Sequence, residues 1–418
     1  MWWTAVALAE PVALVGARIY PVSGPPIPNG TVVFDQGKLV AVGPSSQVTP
    51  PAGATVRDVT GKVIVPGLVD THSHIGTLGP TELNEGSGPL QPALSSIDAI
   101  DATAVSLQVA QAGGVTTVNV MPGSRNLIGG QTAYLKLRDA ATVDELLLCP
   151  DRRGPGCGGL KMANGTNPQG EGTYPRTRMA AAASVRQVFL DAKKRRSELD
   201  APHKRGKPAP APAPDLAKDP VVEVLRGERV AHFHTHRADD IVTALELGEE
   251  FGFVPVLHHV SEGWKLVDRI ARSGAPCSVI VIDSPGGKEE AAEMSLTTAG
   301  ALERAGVPVA IHTDDPITDS RLFLRSAALA VRGGMSEPGA LAALTLNGAK
   351  MLGLDARVGS LEPGKDADLV VLSGEPFSVW THVEQTWVEG VVVFDRATDA
   401  RYATGGWDQA ERYPGGAR

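Results

Sequence analysis

The chain has 418 residues, 42% of them hydrophobic and 21% charged, with a formal net charge of −8. This length can bury a large core in one barrel-sized domain or in two, and the acidic balance argues against nucleic acid as the main partner. No apolar run approaches the roughly 18 residues that span a bilayer, and three cysteines are too few for a disulfide framework.

Residues 1–10 are apolar, end near Ala7-Leu8-Ala9 and lack a basic start. They read as the tail of a signal peptide, which places the bacterial periplasm or secretion ahead of the cytoplasm; the alternative is an ordinary disordered N-terminus. Apolar runs at 13–15, 31–34 and 39–42, separated by turn residues, predict a small antiparallel sheet. The run Val63-Ile64-Val65 then leads through Pro66-Gly67 to His72 and His74. Alternate residues of a strand face the same side. An extended 68–74 therefore points both imidazoles into one site, half of a zinc-type ligand set.

The middle of the chain alternates two periodicities. Strands are expected at 115–120, 131–137, 159–163, 231–234, 253–257, 278–282 and 307–311. Helices are expected at 99–112, 178–197, 238–251, 264–272, 296–305 and 322–331. This alternation predicts a parallel sheet with crossover helices, and its length suits a barrel of roughly 250 residues. Cys149 and Cys157 flank a tight loop and can pair in an oxidising compartment, whereas Cys277 lies in an apolar run and reads as core. Residues 199–220 contain Pro-Ala repeats and read as a surface insertion. Strand patterns return at 367–372, 385–389 and 391–394. Both termini are thus expected to form one β domain, 10–65 with 359–403, around a central domain at 66–358.

Eight of the ten histidines fall in four clusters near the ends of apolar runs: His72 and His74; His232, His234 and His236; His258 and His259; and His312. Asp314 follows His312 at strand spacing. Core packing gives no reason for such clustering, and imidazoles with a carboxylate are the donors of a hydrolytic zinc site.

These residues resemble the amidohydrolase superfamily, and within it the imidazolonepropionase-like and Xaa-Pro dipeptidase-like enzymes. The matching stretches include VIVPGLVDTHSHIG at 63–76, GGLKMANGTNP at 158–168, HFHTHRADDI at 232–241, VLHHVSEG at 256–263, IHTDDP at 311–316 and VGSLEPGKDADLVVL at 358–372. The resemblance implies an α/β fold, a (β/α)8 TIM barrel with a small β-sandwich domain. It implies that His72, His74, Lys161, His234, His259 and Asp314 hold one or two divalent ions, zinc by preference, with Lys161 carboxylated as a bridge. Asp314 and His259 are the expected catalytic residues, and Arg125, His236, Arg237 and Glu262 the expected substrate contacts. His258 and His259 are adjacent, so on a regular strand only one faces the interior; the resemblance selects His259. By the same parity Asp315 points away from Asp314.

The implied reaction is hydrolysis of an amide C–N bond in a dipeptide or N-acyl amino acid. Opening of a cyclic amide is the nearer alternative. A ring deaminase would want a glutamate near the fifth strand, where this chain has Asp239 and Asp240, with Glu262 further on. A non-catalytic assembly protein would be expected to lose ligands that this chain keeps. The expected partners are a small-molecule amide or peptide and further copies of the chain in a homo-oligomer, with no nucleic acid and no membrane.

Overall fold

The computed structural model describes residues 10–169, 175–201, 212–281 and 288–399. Five strands open it: β1 (Val12–Ile19), β2 (Ile27–Asp35), β3 (Lys38–Pro44), β4 (Thr55–Asp58) and β5 (Val63–Pro66). Nine follow through the middle: β6 (Leu68–Ser73), β7 (Val115–Val120), β8 (Ile128–Gln131), β9 (Ala133–Lys136), β10 (Leu160–Ala163), β11 (Ala231–Thr235), β12 (Val256–His259), β13 (Cys277–Val279) and β14 (Val309–Ile311). β15 (Leu369–Leu372), β16 (Val383–Val388) and β17 (Val391–Asp395) close the series. The α-helices are α1 (Val105–Ala112), α2 (Val143–Leu146), α3 (Arg178–Asp200), α4 (Asp219–Leu225), α5 (Ala238–Phe251), α6 (Val267–Ser273), α7 (Thr297–Arg304), α8 (Phe323–Arg332), α9 (Glu337–Ala343) and α10 (Leu346–Met351).

Both ends of the chain share one eight-stranded sheet, ordered β17-β16-β15-β5-β1-β2-β3 with β4 beside β1. β5 and β15 pair antiparallel and lie between two cores. Val63, Val65, Val370 and Leu372 enter the large central core, while Ile64, Leu369 and Val371 enter a second core with Leu14, Phe34 and Trp387. Burial on both faces explains why these two runs are continuously apolar rather than alternating. The chain passes to the central sheets at Pro66-Gly67, where the Gly67 N–H donates to the Asp368 carbonyl at 2.9 Å. A Cβ on Gly67 would lie 2.2 Å from Thr116 Oγ1, so the crossing needs glycine.

The central strands form a six-stranded sheet, β14-β13-β12-β11-β10-β8, and a three-stranded one, β6-β7-β9. From β10 to β14 the neighbours are parallel, as are β6 and β7. The expected strand at 131–137 is instead two segments, both reversed. β9 runs antiparallel to β7 and β8 antiparallel to β10. Two backbone hydrogen bonds join the far ends of these sheets: Asp314 N–H to the His72 carbonyl at 2.9 Å and His74 N–H to the Asp315 carbonyl at 3.1 Å.

Several boundaries move for local reasons. The strand expected at 253–257 begins at Val256, because Gly252 (φ +80°) ends α5 and the Phe253 N–H caps it by donating to the Gly248 carbonyl. The helix expected at 99–112 is only α1, preceded by a 3-10 turn at Ser96–Ala99. The leader reading of 1–9 lies outside the described residues, as do 202–211 of the Pro/Ala-rich stretch, residue 282 and 400–403. Cys149 and Cys157 form a disulfide, with Cα atoms 5.1 Å apart, and Cys277 is buried in the core. Among the described residues no helix is long and apolar enough to cross a membrane.

Candidate active site

His72 is the penultimate residue of β6, and His74 follows directly after the strand. Their Nε2 atoms lie 3.3 and 3.1 Å from the same oxygen, Oδ1 of Asp314. Asp314 stands just past β14 in the left-handed region (φ +52°), which turns its carboxylate toward β6. Asp70 holds this junction together: its carboxylate accepts from the Thr313 hydroxyl at 2.5 Å and from the Thr313 and His72 N–H groups at 3.2 Å. Burial pushes Asp70 up to about 7. Burial would also raise Asp314, but the hydrogen bond from His74 and nearby positive charge hold it at about 2. Asp314 is therefore ionised at neutral pH. Lys161, on β10, is fully buried, with Nζ 3.2 Å from His72 Nε2 and 3.1 Å from the Met121 sulfur. Burial pulls its amine down to about 7.

A second group lies beside the first. Ligand atoms of His234, His236 and His259 are all within 4.8 Å of one another. His234 Nδ1 meets the Ser124 hydroxyl at 3.0 Å, and His236 Nδ1 meets Ser261 at 2.7 Å. His259 Nδ1 faces His312 Nε2 at 3.3 Å, and His312 is anchored through Nδ1 to Ser278 at 2.8 Å. One ring nitrogen of each imidazole is thus held by a neighbour, the arrangement that orients a ligating histidine. Burial holds His232 and His312 at about 3 and His234 at about 4, and drives His72, His236, His258 and His259 well below the ordinary histidine value. All seven rings are neutral, the form that can bind a metal ion. The opposite nitrogens of His234 and His259, both Nε2, are buried without a hydrogen-bond partner. Buried polar atoms are rarely left so, and a divalent ion would satisfy them.

The expected parity fails at one place. His258 and His259 both face inward: His258 packs edge-on or tilted among His72, His232 and His312, while His259 lies against His72, His234 and His236. His259 (φ +71°) and Val260 (φ +52°) leave the extended region, so the pleat that would separate adjacent side chains ends there. His258 and His232 lie deeper. His72 Nδ1 meets His258 Nδ1 at 3.3 Å, His258 Nε2 meets His232 Nδ1 at 2.9 Å, and His232 Nε2 meets the Tyr134 hydroxyl at 3.0 Å.

The residues expected to contact substrate are distributed unevenly. His236 is in the second group. Glu262 is buried and accepts from the Ala238 N–H at the start of α5 at 2.9 Å, with Lys265 3.1 Å away. Arg237 pairs with Asp239 at 3.0 Å, and Arg125 is exposed, next to the Ser124 that holds His234. Sequence reasoning missed Lys288 and Glu290, which follow β13 and reach His236 and His234. The signal available was their position, a charged Lys-Glu-Glu run in the loop after a strand whose C-terminal end faces the site.

Neutral imidazoles and a carboxylate gathered at strand ends are donors that can hold a divalent ion, as metal-dependent hydrolases use them. The profile of the amidohydrolase family matches residues 215–394. The crystal structure of an amidohydrolase from Thermotoga maritima MSB8 is similar with a TM-score of 0.84 and 35% identity, covering 92% of this chain and 100% of that one. The chain therefore belongs to the amidohydrolase family, hydrolases that act on carbon–nitrogen bonds. Amidohydrolase tasK of Hapsidospora irregularis is 28% identical over 396 residues, 88% of this chain but 40% of that protein, so the chain spans well under half of tasK. The imidazolonepropionase of Geobacillus thermodenitrificans is 27% identical over 395 residues, covering 83% of this chain and 84% of that one.

Proposed function

We propose that this chain hydrolyses the amide C–N bond of a dipeptide or N-acyl amino acid. The observation that carries the reading is the placement of Asp314, ionised and within 3.3 Å of both His72 and His74. In this reading the two central sheets, joined at β6 and β14, form a (β/α)8 barrel at 66–358, with a β-sandwich built from 10–65 and 359–403. His72, His74, Asp314 and Lys161 would hold one divalent ion, and His234 and His259 a second, with zinc the preferred metal. Such ions lower the pKa of a bound water toward neutrality and polarise a carbonyl.

The chain's own groups do the rest. Asp314 accepts the proton of the attacking water and returns it to the departing nitrogen. His74 steadies the carboxylate while it waits. His259, held through Nδ1 by His312, has Nε2 free, and its part in catalysis would be to hold the second ion with that nitrogen. Lys161 forms no ion pair with a carboxylate among the described residues, and a buried, unpaired ammonium is costly. Carboxylation of its amine by CO2, with release of a proton, would replace this cation with an anionic oxygen donor suited to holding divalent ions. His236, Glu262, Arg125 and Arg237 remain the proposed substrate contacts, and of these His236 has the best-placed side chain.

The likeness to imidazolonepropionase supports a second reading, opening of a cyclic amide by the same groups. Zinc-loaded protein should be screened against dipeptides, N-acyl amino acids and cyclic amides, with released amine and ring loss as separate readouts. Turnover of the linear amides supports the first reading, and turnover of cyclic amides alone replaces it with the second.

A further inference from the structure

We propose that Glu290 is a ligand of the second cation position, completing a donor set with His234, His259 and His236, which in this proposal serves as a ligand in place of a substrate contact. The inference rests on the metal-dependent reading above and names a residue that reading does not use.

Glu290 lies in the loop after β13 and is 1% exposed. Its two oxygens are treated differently. Oε2 accepts the Thr166 N–H at 2.7 Å. That close approach depends on Gly165 (φ +80°), where a Cβ would come within 2.4 Å of Oε2. The backbone after β10 is thus shaped to receive this carboxylate. Oε1 is buried, and among the described residues its one close charged neighbour is the Lys288 ammonium at 2.9 Å. It lies 3.5 Å from His234 Nε2 and 3.8 Å from His236 Nε2. Glu290 Oε1 therefore faces His234 Nε2, an atom buried without a hydrogen-bond partner, at the edge of the group formed by His234, His236 and His259.

Distances decide between a hydrogen-bonded cluster and a ligand set. Donors on one tetrahedral zinc ion, each about 2.0–2.2 Å from it, lie about 3.3–3.6 Å apart. The Glu290–His234 separation of 3.5 Å falls in that range, and the Glu290–His236 separation of 3.8 Å lies just beyond it. Three imidazoles and one carboxylate suit zinc by donor type. The Lys288 ammonium lies 2.9 Å from Oε1 and 3.2 Å from His236 Nε2. It offers a cation to this carboxylate, and a divalent ion would compete with it for the same oxygen.

The test is metal stoichiometry and affinity, measured by elemental analysis and chelator competition on the full-length protein. Wild type is compared with Glu290→Gln, Lys288→Met and Lys161→Ala. Glu290→Gln keeps the size and the Thr166 bond. It should lose one equivalent of zinc or weaken one site by at least about tenfold, the lower end for a disturbed ligand sphere. Lys288→Met should keep full stoichiometry, and Glu290→Gln combined with Lys161→Ala should lose more than either alone. In the cobalt-substituted protein, Glu290→Gln should change the visible absorption of one site. If Glu290→Gln does not fold, Glu290→Asp, which retains the charge but shortens the reach, is read in the same way. If wild type binds a single ion, loss of that ion in Glu290→Gln supports the proposal, and its loss in Asp314→Asn alone overturns it. Unchanged stoichiometry and affinity in the Glu290 variants overturn it as well. A wild type that binds no zinc at all fails the metal-dependent reading itself, a result distinct from failure of Glu290 alone.

Discussion

Asp314 and Asp315 are adjacent carboxylates with different surroundings. Asp314 faces His72 and His74, whereas Asp315 accepts from the Ser320 N–H at 2.9 Å and the Ser320 hydroxyl at 2.7 Å. Asp314→Asn should keep most bound metal and lower kcat roughly 10²–10⁴-fold, the scale of general acid–base work. Asp315→Asn should leave kcat nearly intact and cost about 1 kcal/mol of stability, the value of a weakened buried hydrogen bond. Steady-state kinetics with denaturant unfolding of both variants checks this. Near-normal turnover by Asp314→Asn would remove the proposed proton shuttle. Lys161→Ala should bring metal content from two equivalents toward one, with partial recovery of activity on adding short-chain carboxylates. Elemental analysis and rescue kinetics test it, and full metal with full activity would reduce Lys161 to a packing residue. At this scale parity was a good guide where the backbone stays extended, as at His72 and His74. It failed at His259, because no sequence pattern announces a left-handed non-glycine residue.

At the scale of elements, the outer sheet and the central sheets are locked by charge as well as apolar packing. Lys136, at the end of β9, is fully buried and pairs with Asp366, 2.8 Å away, and with Asp368. Lys38 and Arg357 also reach Asp366, at 2.6 and 2.9 Å. Lys136→Met would leave buried carboxylates short of a partner and should destabilise the protein by about 3–5 kcal/mol in denaturant unfolding. Burial works to raise Asp366, but Lys136 and the other cations hold it at about 2, below its ordinary 3.8. A carboxylate lowered in the folded state contributes stability that is present above its unfolded pKa and lost as pH falls through the folded one. The stability gap between wild type and Asp366→Asn should therefore be full at pH 5 and shrink toward pH 2. A gap independent of pH over that window would mean that the pairing contributes nothing. Asp368, raised by burial, has the opposite sign, and the comparison leaves it in both proteins. The short Lys-x-Ala-Asp-Leu run was legible as a motif. Its partner Lys136 was not, since the two lie more than 200 positions apart.

For the whole molecule, the metal is expected to be part of the stability. Stripping it should leave buried nitrogens and carboxylate oxygens without partners. Zinc at about a hundredfold excess over Kd should restore roughly 2.7 kcal/mol per site through mass action, read as a rise in Tm with metal concentration. A Tm that ignores both chelator and zinc would contradict this. Protein produced under oxidising conditions should show one free thiol on denaturation without reductant, Cys277, with Cys149 and Cys157 joined. Three free thiols would show that the loop stays open.

The sequence alone determined the mixed α/β character, the location of most strands and the histidines that the structure gathers at one place. Apolar periodicity, strand-end histidines and turn residues are local signals that survive without knowledge of partners. Tertiary structure decided the rest. It reversed β8 and β9, placed both His258 and His259 inside, paired Lys136 with Asp366 and Asp368, and brought Glu290 to His234 across the seat at Gly165. Each of these depends on which distant segments meet, or on a dihedral imposed by packing, and neither is encoded in the spacing of neighbouring residues.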